Sequence, residues 1–159
     1  MKKLISVGLL FAGLSATAQK NVKLSIGAEL ASASGNLNKV YSLGVGATGQ
    51  IDYMIDNDLT LTGNAGVIEL VGRKIGGTNL KYRSTAVIPL LAGIKYFFTP
   101  AIYASGQIGT SVFSSGGGST FTYAPGIGYK FTNRVDVLLK YTGYSSSGGT
   151  FGIRLGYSF

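Results

Sequence analysis

Apolar and polar residues alternate along most of this chain, most clearly at its C-terminal end. Over nine positions, small or polar residues alternate with Phe151, Ile153, Leu155, Tyr157 and Phe159. Successive side chains of a β-strand point to opposite faces, so this period of two predicts a strand with one apolar face. Seven segments upstream carry the same period, which brings the predicted number of strands to eight. These segments begin near Leu24, Leu43, Leu59, Ile88, Ile102, Phe121 and Val135.

The connections between the predicted strands alternate in length. The short connections are Met54–Asp58, Phe97–Pro100 and Thr132–Arg134. The mostly longer ones, rich in Gly, Ser or Asn, are Ala33–Tyr41, Gly72–Ser84, Ser114–Thr120 and Ser145–Gly149. Outer-membrane barrels combine short periplasmic turns with longer external loops around an even number of strands. We therefore predict an all-β fold, an eight-stranded antiparallel up-and-down transmembrane β-barrel.

The first eighteen residues have the pattern of an export signal. Lys2 and Lys3 precede an apolar stretch from Leu4 to Ala16, and Ala16-Thr17-Ala18 is a small-x-small cleavage site. A membrane anchor is the alternative, but about 13 apolar residues fall short of a span. We expect a signal peptide at residues 1–18, cleavage after Ala18, and one barrel domain at residues 19–159.

Composition narrows the class of protein further. Charged residues make up 13% of the chain, about half the ~25% of a soluble domain. The longest later apolar run, Ala86–Ile94, contains Pro89 and is shorter than the ~20 residues of a spanning helix. Cysteine and histidine are both absent, which removes thiol chemistry and the commonest general base and metal ligand. We expect no enzymatic activity, no metal and no cofactor.

Aromatic residues on the predicted apolar face concentrate near the strand ends. Those expected at the periplasmic edge are Tyr53, Tyr96, Phe98, Tyr129, Phe131, Tyr157 and Phe159. Those expected toward the outer edge are Phe121, Tyr123, Tyr141 and Phe151. Two rows of this kind are typical of the aromatic girdles at the two membrane interfaces. Strand propensity alone is the alternative explanation.

Three segments resemble a known family. Ile88–Phe98 looks like its fourth strand, Pro125–Phe131 looks like its sixth, and Phe151–Phe159 resembles the terminal strand that the barrel-assembly machinery reads. The family is that of the small outer-membrane β-barrels of the OmpA/OmpX type, a porin-like group common in Bacteroidota. The resemblance implies residence in the bacterial outer membrane after export through a Sec-type signal peptide. It also implies an assembly signal at Phe151, Ile153, Leu155, Tyr157 and Phe159.

Several charged residues occupy strand positions whose side chains should point into the barrel interior. The eighth strand must pair with the first, which would bring Arg154 to a depth similar to that of Glu29. A lone charge in a narrow lumen is costly, so we predict that Glu29 accepts a hydrogen bond from Arg154, with Lys140 and Lys95 sharing the same acid. Such a network would plug the lumen. The acids Glu29, Asp52 and Asp136 could in principle form a carboxylate pair, but pairing with lumen bases is the simpler account.

The second external loop is strongly basic. Arg73, Lys74, Lys81 and Arg83 lie in it, and no acidic residue occurs between Gly72 and Ser84. Contact with lipopolysaccharide phosphates or another anionic partner is one interpretation. An ordinary solvated loop is the other.

The patterns leave more than one function open. An eight-stranded barrel is just wide enough for side chains to fill, which favours a structural or surface-interaction scaffold. A narrow small-solute pore is the alternative, and a soluble ligand-binding barrel, with the apolar face inside, is a third class. A G-x-G-x-x-G match at Gly44–Gly49 falls within a predicted strand, so we expect no nucleotide site there. The expected partners are outer-membrane lipid and lipopolysaccharide and the assembly machinery, with no nucleic acid, and we expect a monomer.

Overall fold

A computed structural model describes residues 21–74, 80–116, 118–145 and 148–159, so the predicted signal peptide lies outside the described residues. The strands are β1 (Val22–Ser34), β2 (Tyr41–Met54), β3 (Leu59–Gly72), β4 (Thr85–Phe97), β5 (Ile102–Phe113), β6 (Gly118–Lys130), β7 (Val135–Tyr144) and β8 (Gly148–Ser158). A 3₁₀ helix, Gly35–Lys39, joins β1 to β2. Within the described ranges, no helix is long and apolar enough to cross a membrane.

The eight strands form one closed barrel in chain order. Every strand pairs antiparallel with its neighbours, and β1 pairs with β8 to close the barrel. The predicted fold class is therefore confirmed. Closure leaves no unpaired sheet edge, which is what a β-structure needs in a lipid environment.

The two ends of the barrel differ, and we name them by their connections. The turn end carries the β2–β3, β4–β5 and β6–β7 connections together with both ends of the barrel domain. The loop end carries the other four connections. Three of these are clearly shorter than expected, because β1 extends to Ser34 and β2 begins at Tyr41, β6 begins at Gly118, and β8 begins at Gly148. The predicted loops at 114–120 and 145–149 thus belong in part to paired strands.

The outer surface of the barrel is apolar. Large hydrophobic side chains on it are about half exposed, as Leu30 is at 55% and Ile108 at 60%. Alternate residues point inward and are mostly polar or small, and Thr48, Gln107 and Ser111 among them are fully buried. This arrangement is the reverse of a soluble ligand-binding barrel, and it places the apolar face toward lipid.

Aromatic side chains form two rows on the outer surface, one near each end of the barrel. At the turn end three pairs two residues apart meet edge to face: Tyr96 with Phe98, Tyr129 with Phe131, and Tyr157 with Phe159, with centroids 5.0–5.5 Å apart. Nearer the loop end, the Tyr141 ring lies 4.9 Å from Phe151 and 6.1 Å from Tyr123. The two rows lie where the girdles are predicted, and the edge-to-face pairs of the turn-end row add stability beyond what strand propensity alone provides.

Candidate functional site

Six charged side chains in the central and turn-end part of the lumen form ion pairs with one another. The acids are Glu29, Asp52 and Asp136, and the bases are Lys95, Lys140 and Arg154. Three acids and three bases leave this group with no net charge. Their contacts decide whether the predicted network forms.

Glu29 pairs with Lys140 and not with Arg154. The Lys140 Nζ lies 2.8 Å from Glu29 Oε1, and both side chains are buried. Thr48 Oγ1 donates a second hydrogen bond to the same oxygen, at 2.8 Å. Lys140 lies opposite Gly152 on β8, and Gly152 lies opposite Ala31 on β1. Because both residues are small, the Lys140 side chain can cross β8 to reach Glu29.

Arg154 stands opposite Glu29 in the β1–β8 register, but its side chain leans toward the turn end. Its Nε donates to Thr48 Oγ1 at 3.1 Å and its Nη2 to Ser25 Oγ at 3.0 Å. Its Nη1 lies 4.0 Å from Asp136 Oδ1. The predicted hydrogen bond from Arg154 to Glu29 is therefore wrong, and Thr48 bridges the two residues.

A pair of facing glycines explains the lean of Arg154. Gly27 and Gly156 lie opposite each other in the register of β1 and β8. A Cβ on Gly27 would lie 2.5 Å from Arg154 Nε, and one on Gly156 would lie 2.5 Å from Nη1. The guanidinium thus fills the space that two missing side chains leave at the barrel seam.

Lys95 binds Asp52, so the prediction that Lys95 shares Glu29 is also wrong. Lys95 Nζ lies 2.8 Å from Asp52 Oδ2, and Gln50 Nε2 donates to Asp52 Oδ1 at 2.7 Å. The register places Asp52 opposite Thr62 and Lys95 opposite Thr60, on the two sides of β3. The acid on the nearby strand at the same end is closer than Glu29, which lies deeper in the lumen.

Tyr103 joins the two halves of this network and was missed by sequence reasoning. Its hydroxyl donates to Asp136 Oδ2, and its ring lies 5.0 Å from Lys95 Nζ. Tyr103 occupies an alternate strand position that points inward, as Ser105 and Gln107 do. A tyrosine in a barrel strand is, however, expected on the lipid-facing side. The sequence feature that could have indicated the inward Tyr103 ring is Gly128, its partner on β6. A Cβ at Gly128 would overlap the Tyr103 ring.

An apolar cluster fills the loop end of the lumen, and the sequence reading did not predict it. Its buried members are Ala33, Leu37, Ile68, Leu70, Val87 and Tyr144, with Tyr41 and Phe113 packed against them. Leu70 and Val87 are completely buried, and Leu37 is contributed by the 3₁₀ helix. The inner face is therefore polar in the turn-end part, whereas at the loop end the apolar cluster lies beside buried hydroxyl side chains such as Ser111 and Thr122. The sequence feature that could have indicated this cluster is the segment Val67–Val71, which is apolar on both faces of β3 apart from Glu69.

The basic loop continues the β3–β4 ladder beyond the barrel. Lys74 and Lys81 form an isolated antiparallel bridge, and Tyr82 N donates to Arg73 O at 2.9 Å. We call Arg73, Lys74, Lys81 and Arg83 the basic hairpin; residues 75–79 lie outside the described residues. All four side chains are exposed, and they form no ion pair with any residue that the structure describes. Like charges placed opposite each other repel, so this arrangement does not serve stability.

The C-terminal strand presents its apolar residues to the outside, where an assembly factor or lipid can contact them. Phe151, Ile153, Leu155 and Tyr157 are all exposed on β8. Phe159 follows the strand, is 80% exposed, and its N–H donates to Leu24 O at 2.9 Å. The assembly signal itself stays a prediction.

Two other kinds of site find no support in the geometry. Gly44–Gly49 lies inside β2 and opens no helix, so it lacks the context of a dinucleotide loop. In the part of the chain that the structure covers, no three His, Cys, Asp or Glu residues are grouped so as to hold a metal ion.

Residues 4–159 match the family model of the outer membrane protein beta-barrel domain. No curated protein matches the chain in sequence. Among solved structures, Ail of Yersinia pestis in a phospholipid bilayer nanodisc is similar with a TM-score of 0.62 and 17% identity, over 86% of this chain and 99% of that one. Ail in complex with the heparin analogue sucrose octasulfate gives 0.52 and 17%, over 87% and 97%. A de novo designed transmembrane β-barrel gives 0.55 and 13%, over 90% and 98%. At these identities the likeness is one of fold.

Proposed function

Because the chain belongs to the outer membrane protein β-barrel family, we propose that it is a monomeric scaffold of the bacterial outer membrane, with a lumen filled by side chains and a basic hairpin for anionic surface partners. The proposal includes export through a Sec-type signal peptide at residues 1–18. It also includes recognition of the terminal strand by the barrel-assembly machinery.

The observation that carries the scaffold proposal is the filling of the lumen at two levels. The neutral charge network occupies the turn-end part, and the apolar cluster occupies the loop end. An ion that entered from the turn end would meet buried ion pairs. Moving the two partners of a pair apart to let the ion pass would leave buried charges without a partner, which is costly. The ion would then meet the completely buried Leu70 and Val87 side chains of the apolar cluster, which cannot replace its hydration shell.

Conductance of the purified protein in a planar lipid bilayer tests this proposal. We expect no ion conductance from the unchanged chain. In an E29A/K140A background, which opens the charge network, the double variant L70A/V87A should conduct, because it removes two completely buried side chains of the apolar cluster. The matched control in the same background is V67A/L90A, which removes the same two residue types from the lipid-facing surface of the same strands and should stay silent. Steady conductance of the unchanged chain would reject the scaffold in favour of a pore.

A narrow pore remains the second candidate because of one specific observation. Gln50 Oε1, Ser105 Oγ and both side-chain polar atoms of Asn64 are buried and make no hydrogen bond with any described residue. Buried polar atoms are usually satisfied, often by ordered water. A hydrated turn-end half of the lumen would suit a pore if the apolar cluster could open.

The basic hairpin supports the surface part of the proposal. Four exposed positive charges that pair with no acidic residue in the described ranges suit phosphate or sulfate groups, such as those of lipopolysaccharide. Ail, which shares the fold, has been crystallised with a sulfated heparin analogue. We extend that chemistry to this chain as a proposal only.

The proposal assigns no catalysis to the barrel. Each lumen carboxylate that could act as an acid or base already contacts a base, Glu29 at Lys140, Asp52 at Lys95 and Asp136 at Arg154. Such contacts favour a structural role over a catalytic one.

A further inference from the structure

A cavity opens at the turn end of the barrel, below the charge network. Its volume is about 400 Å³, within the range of pockets that hold small ligands. Asp52, Lys95, Tyr103 and Asp136 form part of its lining, together with residues of all three turns. The cavity is therefore the turn-end mouth of the lumen, with the network as its inner wall.

The cations at this mouth outnumber the acids that could pair with them. Lys23, Lys130 and Arg134 line the cavity and form no ion pair with any residue that the structure describes. The inner acids are already engaged, Asp52 by Lys95 and Asp136 by Tyr103 and Arg154. Asp58, in the β2–β3 turn, also forms no ion pair with any described residue, so the unpaired side chains of the lining, three cations and one acid, carry an excess of two positive charges.

An aromatic surface lies beside these cations. The Phe97 and Tyr103 rings pack with centroids 5.1 Å apart, and Lys130 Nζ lies 4.9 Å from the Phe97 centroid. The bond from Tyr103 to Asp136 holds the ring in place. A half-buried ammonium against a fixed aromatic face offers both a charge and an apolar contact to one ligand.

We propose that this mouth binds a small organic anion, a phosphate or carboxylate carried on a compact apolar body. Lys23 and Lys130 contact the anionic group, and Phe97 contacts the apolar body. The ligand enters from the side of the short turns, which in this family faces the periplasm. The site is independent of the scaffold proposal, since it needs the mouth alone and no passage through the lumen.

Titration of phenyl phosphate into the full barrel, in octyl glucoside micelles that contain no phosphate, tests the site by NMR. Saturable shifts are expected for the Phe97 and Lys130 amides. The variants K130A and K23A/K130A should weaken binding, the double variant by about tenfold or more, which is about 1.4 kcal/mol. K39A, which removes an exposed charge at the loop end, is the matched control and should bind as the unchanged chain does.

Three results would overturn the proposal: no saturable shift, equal weakening by K130A and K39A, or binding of uncharged phenol as tight as that of phenyl phosphate. A lipid headgroup and a soluble anion share this chemistry, and a competition separates them. Displacement of phenyl phosphate by short-chain phosphatidylglycerol supports a lipid headgroup as the ligand. Retention of the probe supports a soluble anion.

Discussion

Lys140 Nζ lies 2.8 Å from Glu29 Oε1 inside the lumen, which joins β7 to β1 across the intervening β8. The pair is almost completely shielded from solvent, and the acid also accepts from Thr48. It therefore ties three strands together near the barrel seam, where β8 meets the first strand of the chain.

Removal of one partner of this pair should destabilise the barrel. Glu29→Ala leaves the Lys140 ammonium buried without its acid, and a broken buried pair typically costs about 3–5 kcal/mol. Urea unfolding in lipid vesicles measures the free energy of unfolding. The double variant E29L/K140M should lose less than E29A alone, because no charge is then left unpaired. Equal losses in the two variants would show that charge pairing is not the cause.

Alanine at Gly27 should be destabilising, whereas alanine at Gly106 should be nearly neutral. A Cβ at Gly27 would meet Arg154 Nε and Cζ within 2.7 Å, and three polar contacts hold that side chain in place. Gly106 has nothing within 4 Å of its added Cβ. Overpacking of this kind costs about 1–3 kcal/mol. The same unfolding measurement compares G27A with G106A, and a similar stability of both would contradict the account of the seam.

Deletion of Phe159 should impair assembly more than it impairs the stability of the finished barrel. Phe159 lies beyond β8, is exposed, and contributes one backbone hydrogen bond to β1. Fractionation of cells should show the truncated protein in the periplasm or degraded. Phe98→Ala, which removes an equally peripheral ring of the turn-end girdle, is the control and should reach the outer membrane. Normal membrane levels of the truncated chain would refute the assembly signal.

Neutralisation of the basic hairpin should weaken binding to polyanions, most clearly at low salt. The variant R73Q/K74Q/K81Q/R83Q removes four exposed charges without touching the barrel wall. Screening shortens electrostatic reach to about 10 Å at 0.1 M salt, so the difference from the unchanged chain should shrink as salt rises. Lipopolysaccharide binding across a salt series measures this. K39Q, in the neighbouring loop, should have a much smaller effect, and unchanged binding by the quadruple variant at low salt would leave the hairpin a solvated loop.

The sequence alone determined the strands, their number and the face that each turns to the outside. The reason is local: a period of two, as in Phe151–Phe159, sets which side chains share a face without reference to any other strand. The short turns could also be predicted, since residues 55–58, within the predicted connection Met54–Asp58, separate β2 from β3. The depth of Glu29 and Arg154 followed from counting residues from the turn end.

Only the tertiary structure decided which lumen residues meet. Arg154 faces Glu29 in register yet leans over Gly27, and Lys140 reaches Glu29 from a strand that does not pair with β1. Contacts across the interior depend on barrel stagger and on the space that small residues leave, and neither is encoded in a single strand. The apolar cluster arises in the same way, because Leu37, Leu70 and Val87 come together only when the barrel closes.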